Sequence, residues 1–128
     1  MAAFLSQEWL DAQVAASRSW PEVPGLAVTI QQVVPGAPDG EVRFVAVVAD
    51  GRLASATLGV DAEAELTLTT KFPEAKALAA GELDANVAFM RGRIKVAGPT
   101  GPLLRLLAAT KDPAHRAAQA ELAAATTF

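Results

Sequence analysis

Apolar and polar residues follow two different periods along the chain. A first helix is predicted by apolar residues three or four positions apart, namely Leu5, Trp9, Ala12 and Ala16. Ser6 can cap the start of this helix. The helix should end before Trp20-Pro21, because the residue preceding a proline avoids the helical region.

An alternating pattern then replaces the helical one. Four segments are predicted to be strands: residues 26–33, 41–49, 52–58 and 65–70. Asp50-Gly51 joins the second and third as a two-residue hairpin turn. In the second strand Val45 and Val47 face away from the main apolar side, so the sequence predicts burial on both faces.

The second half of the chain returns to short helices. Residues 72–80 predict a helix with Pro73 in its first turn and Gly81 just past its end. Asp84 can cap a second helix that runs to about Met90. A last strand is expected at residues 92–97. After the glycines and prolines of residues 98–102, two more helices are expected to about residues 110 and 125.

Composition narrows the class of protein. The 128 residues favour one domain over residues 1–128. Apolar residues make up 52% of the chain, which is high for a small protein. Both an alanine-rich bias and surplus apolar surface lining a cavity fit that value.

Charge and cysteine content exclude several function classes. The net charge is −3 and the basic residues are scattered, which argues against nucleic acid as a partner. There is no cysteine, so thiolate chemistry and disulfides are excluded. No apolar run is long enough to span a bilayer, and the first residues lack signal-peptide features. We therefore expect no stable membrane insertion and a cytoplasmic location.

The chain resembles a known family over essentially its whole length, and the resemblance is strong from Ala64 to Leu107. This strong part begins with Ala64-Glu-Leu-Thr-Leu-Thr-Thr70 and Ala80-Gly-Glu-Leu-Asp84, and continues with Ala88-Phe-Met-Arg-Gly-Arg-Ile-Lys-Val-Ala-Gly98. This pattern resembles the sterol carrier protein family of lipid-binding domains, often called type 2. The chain departs from the family at Gly98-Pro-Thr-Gly101, where members often have Gly-x-Met/Ile-Gly. The extra prolines stiffen the entry to the next helix.

The resemblance implies an α+β fold and a ligand class. The fold would be a five-stranded, mixed, mainly antiparallel sheet, covered by helices on one face with an apolar tunnel between the layers. The ligand would be a fatty acid, acyl-CoA, sterol-like molecule or phospholipid, with no cofactor, no metal and no catalysis. The residues expected to line the tunnel are Phe72, Leu78, Leu83, Phe89, Met90, Ile94, Leu103, Leu104 and Leu107.

Two features leave more than one interpretation open. Arg91, Arg93 and Lys95 should share one face, either as a solvated sheet surface or, for Arg91 and Arg93, as candidates to attract an anionic head group. The helix containing residues 103–107 is apolar almost all round. That helix is either plain core or borders a cavity or a partner, including a second copy of the chain.

Candidate catalytic residues are sparse. His115 is the only histidine and is expected to be solvated on a polar, alanine-rich helix. The serines sit in no nucleophile elbow, and the acidic run from Asp61 to Glu65 is expected to be solvated. A hydrophobic-ligand carrier is therefore the leading hypothesis. A homodimerising or docking module and an isomerase or cyclase with an apolar pocket are the alternatives.

Overall fold

The computed structural model describes residues 1–128 and contains five helices and seven strands. The helices are α1 (Gln7–Ala16), α2 (Phe72–Ala80), α3 (Ala85–Met90), α4 (Thr100–Ala109) and α5 (Pro113–Ala124). The strands are β1 (Ala2–Ala3), β2 (Val28–Val34), β3 (Val42–Ala49), β4 (Arg52–Leu58), β5 (Leu66–Thr69), β6 (Lys95–Ala97) and β7 (Thr126–Thr127). A 3₁₀ turn at Ser17–Ser19 follows α1.

The main sheet has five strands in the order β4-β3-β2-β5-β6. Strands β2 and β5 pair in parallel, and the other three pairings are antiparallel. This mixed, mainly antiparallel sheet confirms the predicted fold class. The Asp50-Gly51 hairpin is confirmed too, because both residues have the positive φ that a type I′ turn requires.

Alternate residues of the sheet face the helices and form the core. In β2 and β3 these are Val28, Ile30, Val34, Phe44, Ala46 and Val48, all buried. They pack with Leu10 of α1 and with Leu103 and Leu107 of α4 in two hydrophobic clusters. The opposite face is less covered, and Val45 and Val47 are only half-buried there. The prediction that β3 is buried on both faces therefore holds only for the face on which the helices pack.

Helix starts lie where the sequence placed capping residues. The Ser6 hydroxyl accepts a hydrogen bond from Trp9 N at 3.1 Å. The Asp84 carboxylate accepts from Asn86 N and Val87 N at 2.9 and 3.1 Å, and the Asp112 carboxylate accepts from Ala114 N at 2.8 Å. Each side chain satisfies amide groups that have no partner inside the helix.

Several boundaries differ by one or more residues from the sequence prediction; β2, for example, begins at Val28 rather than at residue 26. Two of the differences have a clear physical reason. The last strand of the sheet spans Lys95–Ala97 rather than residues 92–97, because β5 ends at Thr69, the residue that pairs with Lys95. Helix α4 begins at Thr100, two residues before Pro102. Pro102 is tolerated there because the first turn of a helix does not use its amide protons.

The chain ends form a feature that sequence patterning missed. Strands β1 and β7 pair in parallel, with Ala2 opposite Thr126 and Ala3 opposite Thr127. Two-residue strands are too short to show alternation. Their pairing holds the start of α1 beside the end of α5. None of the five helices combines the length and the hydrophobicity that a membrane span requires.

Candidate functional site

Two adjoining cavities lie between the sheet and the helices. The larger cavity has a volume of about 690 Å³, and 15 of its 24 lining residues are apolar. Its wall comes from β2, β3, α1, α2 and α5. The smaller cavity, about 220 Å³, is enclosed mainly by β2, β3 and α4, with 13 apolar residues among 18. The predominance of apolar residues makes both cavities suited to hydrocarbon.

The two cavities share part of their walls, which we call the junction. Seven residues line both cavities: Gln13, Trp20, Gln32, Phe44, Ala85, Thr110 and His115. Four of the seven are polar, although they lie between the layers of the fold. Hydrogen-bonding groups are therefore concentrated at the point where the cavities meet.

The larger cavity meets solvent between the end of α2 and the middle of α5. Among its lining residues Gly81, Arg116 and Ala120 are exposed. At this opening Arg116 Nη2 lies 3.2 Å from Asp84 Oδ2. The backbone amide of Val87 is the chief cause that lowers the pKa of Asp84, and the nearby Arg116 charge adds to it. The opening therefore carries one ion pair and no net charge from these two residues.

His115 was expected on the surface, and that prediction is wrong. Only 8% of the residue is exposed, and its ring stacks on Trp20 with centroids 4.3 Å apart. Burial lowers the pKa of His115, while the charge of Asp112 acts in the opposite direction. The position turns inward because α5 packs its His115, Ala118 and Leu122 stripe toward the core. The three- and four-residue spacing of that stripe is the sequence signal that could have revealed it.

Five of the predicted lining residues border the cavities. Leu78 and Leu83 line the larger cavity. Ile94, Leu103 and Leu107 line the smaller one. These five are brought together from α2, the loop before α3, the segment before β6, and α4.

The other four predicted lining residues border neither cavity. Phe72 and Phe89 are half-buried and pack against the two core clusters. Met90 is 83% exposed and Leu104 is 51% exposed. Leu104 lies on the outer side of α4, while Leu103 and Leu107 point into the core, so the helix is core on one side only.

The two head-group candidates also lie outside the cavity walls. Arg91 and Arg93 are exposed, as is Lys95, while Ile94 and Val96 between and beyond them are half-buried. This alternation was predicted. Arg93 Nη1 lies 2.6 Å from Glu74 Oε1 and so already has an anionic partner. Attraction of an anionic head group by Arg91 and Arg93 stays a prediction.

Several cavity residues were missed by sequence reasoning. Trp9, Gln13 and Trp20 come from the first helix and the turn after it, and Gln32 comes from β2. They are brought to the cavity by long-range packing. Gln32 could have been identified, because alternation with Val28 and Ile30 places it on the core face. For Trp9 the sequence shows only that it belongs to the apolar stripe of a helix, and for Trp20 only that it precedes a proline.

The site offers little to a catalytic mechanism. No group of three or more His, Asp or Glu side chains is arranged to hold a metal ion. Glu63 and Glu65 are exposed and Asp61 is half-buried, so the predicted solvated acidic run is largely confirmed.

Trp9 Nε1, Trp20 Nε1 and Gln119 Oε1, all from residues of the larger cavity wall, are buried without a hydrogen-bond partner.

Comparison with known proteins points to one family and one fold. The model of the SCP-2 sterol transfer family matches residues 21–111. A crystal structure of sterol carrier protein 2 superposes with a TM-score of 0.70 at 18% identity, covering 91% of this chain and 97% of that one. The solution structure of palmitated SCP2L2 from Aedes aegypti gives 0.65 at 19% identity, covering 84% and 93%.

A third structure extends the comparison. The sterol carrier protein domain 2 of Helicoverpa armigera gives a TM-score of 0.57 at 20% identity, covering 91% of this chain and 86% of that one. No curated protein sequence matches the chain. At these identities the solved structures establish the fold, and the family follows from the match over residues 21–111.

Proposed function

Because the chain belongs to the SCP-2 sterol transfer family, we propose that it binds a hydrophobic ligand and transfers it without changing it chemically. The observation that carries this proposal is the pair of adjoining, mainly apolar cavities between the sheet and the helices. Each methylene group that moves from water into such a space contributes about 0.8 kcal/mol. A long hydrocarbon chain can therefore bind with few polar contacts.

The proposed site places the hydrocarbon along both cavities. In the larger cavity it would contact Leu78 and Leu83, and in the smaller one Ile94, Leu103 and Leu107. Phe72 and Phe89 would support these walls from behind. Entry would be between α2 and α5, where the exposed lining residues lie. A cytoplasmic location of this carrier stays a prediction.

Ligand extraction and titration test the proposal. Purified protein is analysed by native mass spectrometry, its lipid extract is identified, and the delipidated protein is titrated with a fluorescent fatty acid. A fatty acid is a suitable first probe because a palmitated relative shares the fold. We expect saturable binding with one ligand per chain. Absence of both copurified lipid and saturable uptake would contradict the proposal.

A pair of matched variants locates the binding site. Ala120 and Ala117 are both exposed on α5, but only Ala120 lines the larger cavity. The Ala120→Trp side chain would obstruct the opening, so we expect affinity for the fluorescent fatty acid to fall about tenfold or more, that is by about 1.4 kcal/mol. Ala117→Trp carries the same helix-propensity cost and should bind as the wild type does. Equal binding by both variants would place the ligand elsewhere.

One observation favours a second candidate function. Val87 and Met90 on α3 and Leu104 on α4 are exposed large apolar residues, and the two helices are in contact through Asn86 Nδ2, which donates to Leu107 O at 3.1 Å. Exposed apolar side chains on these two neighbouring helices would be covered if two copies of the chain joined there. Analytical ultracentrifugation over a wide concentration range tests this. A monomer that still binds ligand would count against a dimerisation module.

A further inference from the structure

The junction contains a polar residue at a position that the fold otherwise keeps apolar. Gln32 lies on the core face of β2, between the buried Ile30 and Val34, and is half-buried. It pairs with Phe44 of β3 and Leu68 of β5, so both cross-strand neighbours are apolar. An amide in such surroundings is destabilising unless it forms hydrogen bonds. No such bond is formed within the protein by the Gln32 side chain.

The adjacent glutamine shows what a structural amide looks like in this sheet. Gln31, on the opposite face, donates from Nε2 to Phe44 O and Gly59 O, each at 3.1 Å. Its Oε1 accepts from Asp61 N at 2.8 Å. Donor and acceptor are thus both used to hold the strands and the following loop. The contrast indicates that Gln32 keeps its hydrogen-bonding groups available to the cavities.

Two more side chains at the junction are equally available. The side chains of Gln13 and His115 make no hydrogen bond within the protein, and only 8% of His115 is exposed. The stack on Trp20 fixes the plane of the imidazole. By contrast, the Thr110 hydroxyl is already engaged, since it donates to Leu107 O and accepts from Asn86 Nδ2. Gln13, Gln32 and His115 therefore offer both donors and acceptors to whatever occupies the junction.

The charge around the cavities restricts what that occupant can be. The only charged lining residues are Asp84 and Arg116, which pair with each other at the opening of the larger cavity. The smaller cavity has no charged lining residue. A carboxylate or phosphate at the junction would lose its hydration without gaining an opposite charge, which is strongly unfavourable. A hydroxyl or ester group would lose much less and would regain hydrogen bonds.

On the basis of the proposed carrier function, we propose that the junction recognises an uncharged hydrogen-bonding group of the ligand, a hydroxyl in the simplest case, through Gln13, Gln32 and His115. The preferred ligand is then a neutral, hydroxyl-bearing lipid whose hydrocarbon extends into the cavities. A free long-chain acid would bind through its hydrocarbon alone and therefore less tightly than the alcohol, because its carboxylate finds no cation at the junction.

Competition with ligands that differ only in the polar group tests this proposal. In this test dodecanol, dodecanoate and dodecane are each used to displace a neutral fluorescent probe from delipidated protein. The pH is near neutral, where the acid is ionised. We expect dodecanol to bind roughly 3- to 10-fold more tightly than either of the others. A second arm compares a sterol with its 3-methyl ether, which lacks the hydroxyl. This arm shows whether a sterol, as distinct from a long-chain alcohol, supplies the hydroxyl.

Three variants separate recognition from folding. Gln32→Met keeps the length of the side chain, and His115→Phe keeps the stack on Trp20. Each should weaken dodecanol binding roughly 3- to 10-fold more than it weakens dodecane binding, so that the ratio of the two affinities falls. Thr67→Val, on the opposite face of the sheet, is the control and should change neither.

The outcomes distinguish this inference from the carrier function. Dodecanoate binding as tightly as dodecanol, or variants that weaken alcohol and alkane equally, would overturn the uncharged-group proposal and leave the carrier function standing. Failure of every ligand and of the fluorescent probe to bind would overturn the carrier function and this inference with it.

Discussion

At the scale of single residues, we expect His115 to make the stability of the protein depend on pH. Burial lowers the pKa of this imidazole below its ordinary value of 6.5, so the folded state prefers the neutral ring. The unfolded chain takes up a proton more readily than the folded one below that pH. Stability is therefore complete above pH 6.5 and is lost as the pH falls toward the lowered pKa of His115 in the folded state.

The test compares denaturant unfolding of the wild type and His115→Phe from neutral pH down to about pH 5. We expect the free energy of unfolding to fall more steeply in the wild type. Asp84 acts in a separate range, because its pKa is lowered from 3.8 and its contribution is lost only below that value. The charged neighbours Asp112 and Arg116 remain in both proteins. Identical slopes would show that His115 does not carry the effect.

The adjacent glutamines give a second prediction at this scale. Gln31→Met should lower the free energy of unfolding by about 1–3 kcal/mol, because Phe44 O, Gly59 O and Asp61 N all lose a partner. Gln32→Met should cost little or nothing, because the Gln32 side chain holds no part of the fold together. Urea unfolding of both variants measures this. Equal losses would mean that Gln32 has a structural role.

At the scale of elements, Gly98 links β6 to α4 under tight steric limits. Its φ is +116°, and an added Cβ would lie 2.6 Å from Glu65 O. Gly98→Ala should therefore destabilise the protein by about 1–3 kcal/mol. Gly101, three residues later in α4, has open space around it, so Gly101→Ala should stabilise by about 0.5–1 kcal/mol. Thermal unfolding of both variants measures the difference, and a harmless Gly98→Ala would contradict the argument.

The boundaries of α2, α3 and β6 show how far the ends of helices and strands can be predicted from the sequence. Capping residues and a glycine at positive φ are local signals. The N-cap of α3 at Asp84 and the C-cap of α2 at Gly81 were therefore predicted correctly. The start of β6 depends instead on how many residues β5 offers for pairing. The number of pairing residues is set by β5, so the alternation of apolar and polar residues within 92–97 gives no information about it.

At the scale of the whole molecule, the cavities draw on both halves of the chain. The strong resemblance between residues 64 and 107 was enough to predict the fold class. Five of the residues that it indicated as tunnel lining border the cavities, and their contact with a ligand stays a prediction. The resemblance did not predict the junction, because Gln13, Trp20 and His115 lie outside that stretch. These residues, which are distant in sequence, are brought together where α1 packs against α5. One domain over residues 1–128 stays a prediction.

The two chain ends are in contact beside the start of α1 and the end of α5. Phe4 N donates to Thr127 O at 2.9 Å, and the rings of Phe4 and Phe128 have centroids 5.3 Å apart. Phe4 and Leu5 belong to the wall of the larger cavity. Leu5 is held at a positive φ of 67°, a strained conformation for a non-glycine residue. The paired ends therefore help to keep this part of the wall in place.

Removal of residues 126–128 should affect stability and ligand binding together. Loss of the strand pairing and of the Phe128 contact is expected to lower the free energy of unfolding by about 1–3 kcal/mol. Release of Phe4 and Leu5 should also weaken binding of the fluorescent fatty acid, because the wall of the larger cavity loosens. The two effects are separated by Phe128→Ala, which keeps the β1–β7 pairing. If truncation lowers stability while affinity stays at the wild-type value, the cavity wall is independent of the chain ends. If affinity falls in the truncated protein and is retained in Phe128→Ala, the backbone pairing of the ends is what maintains the wall.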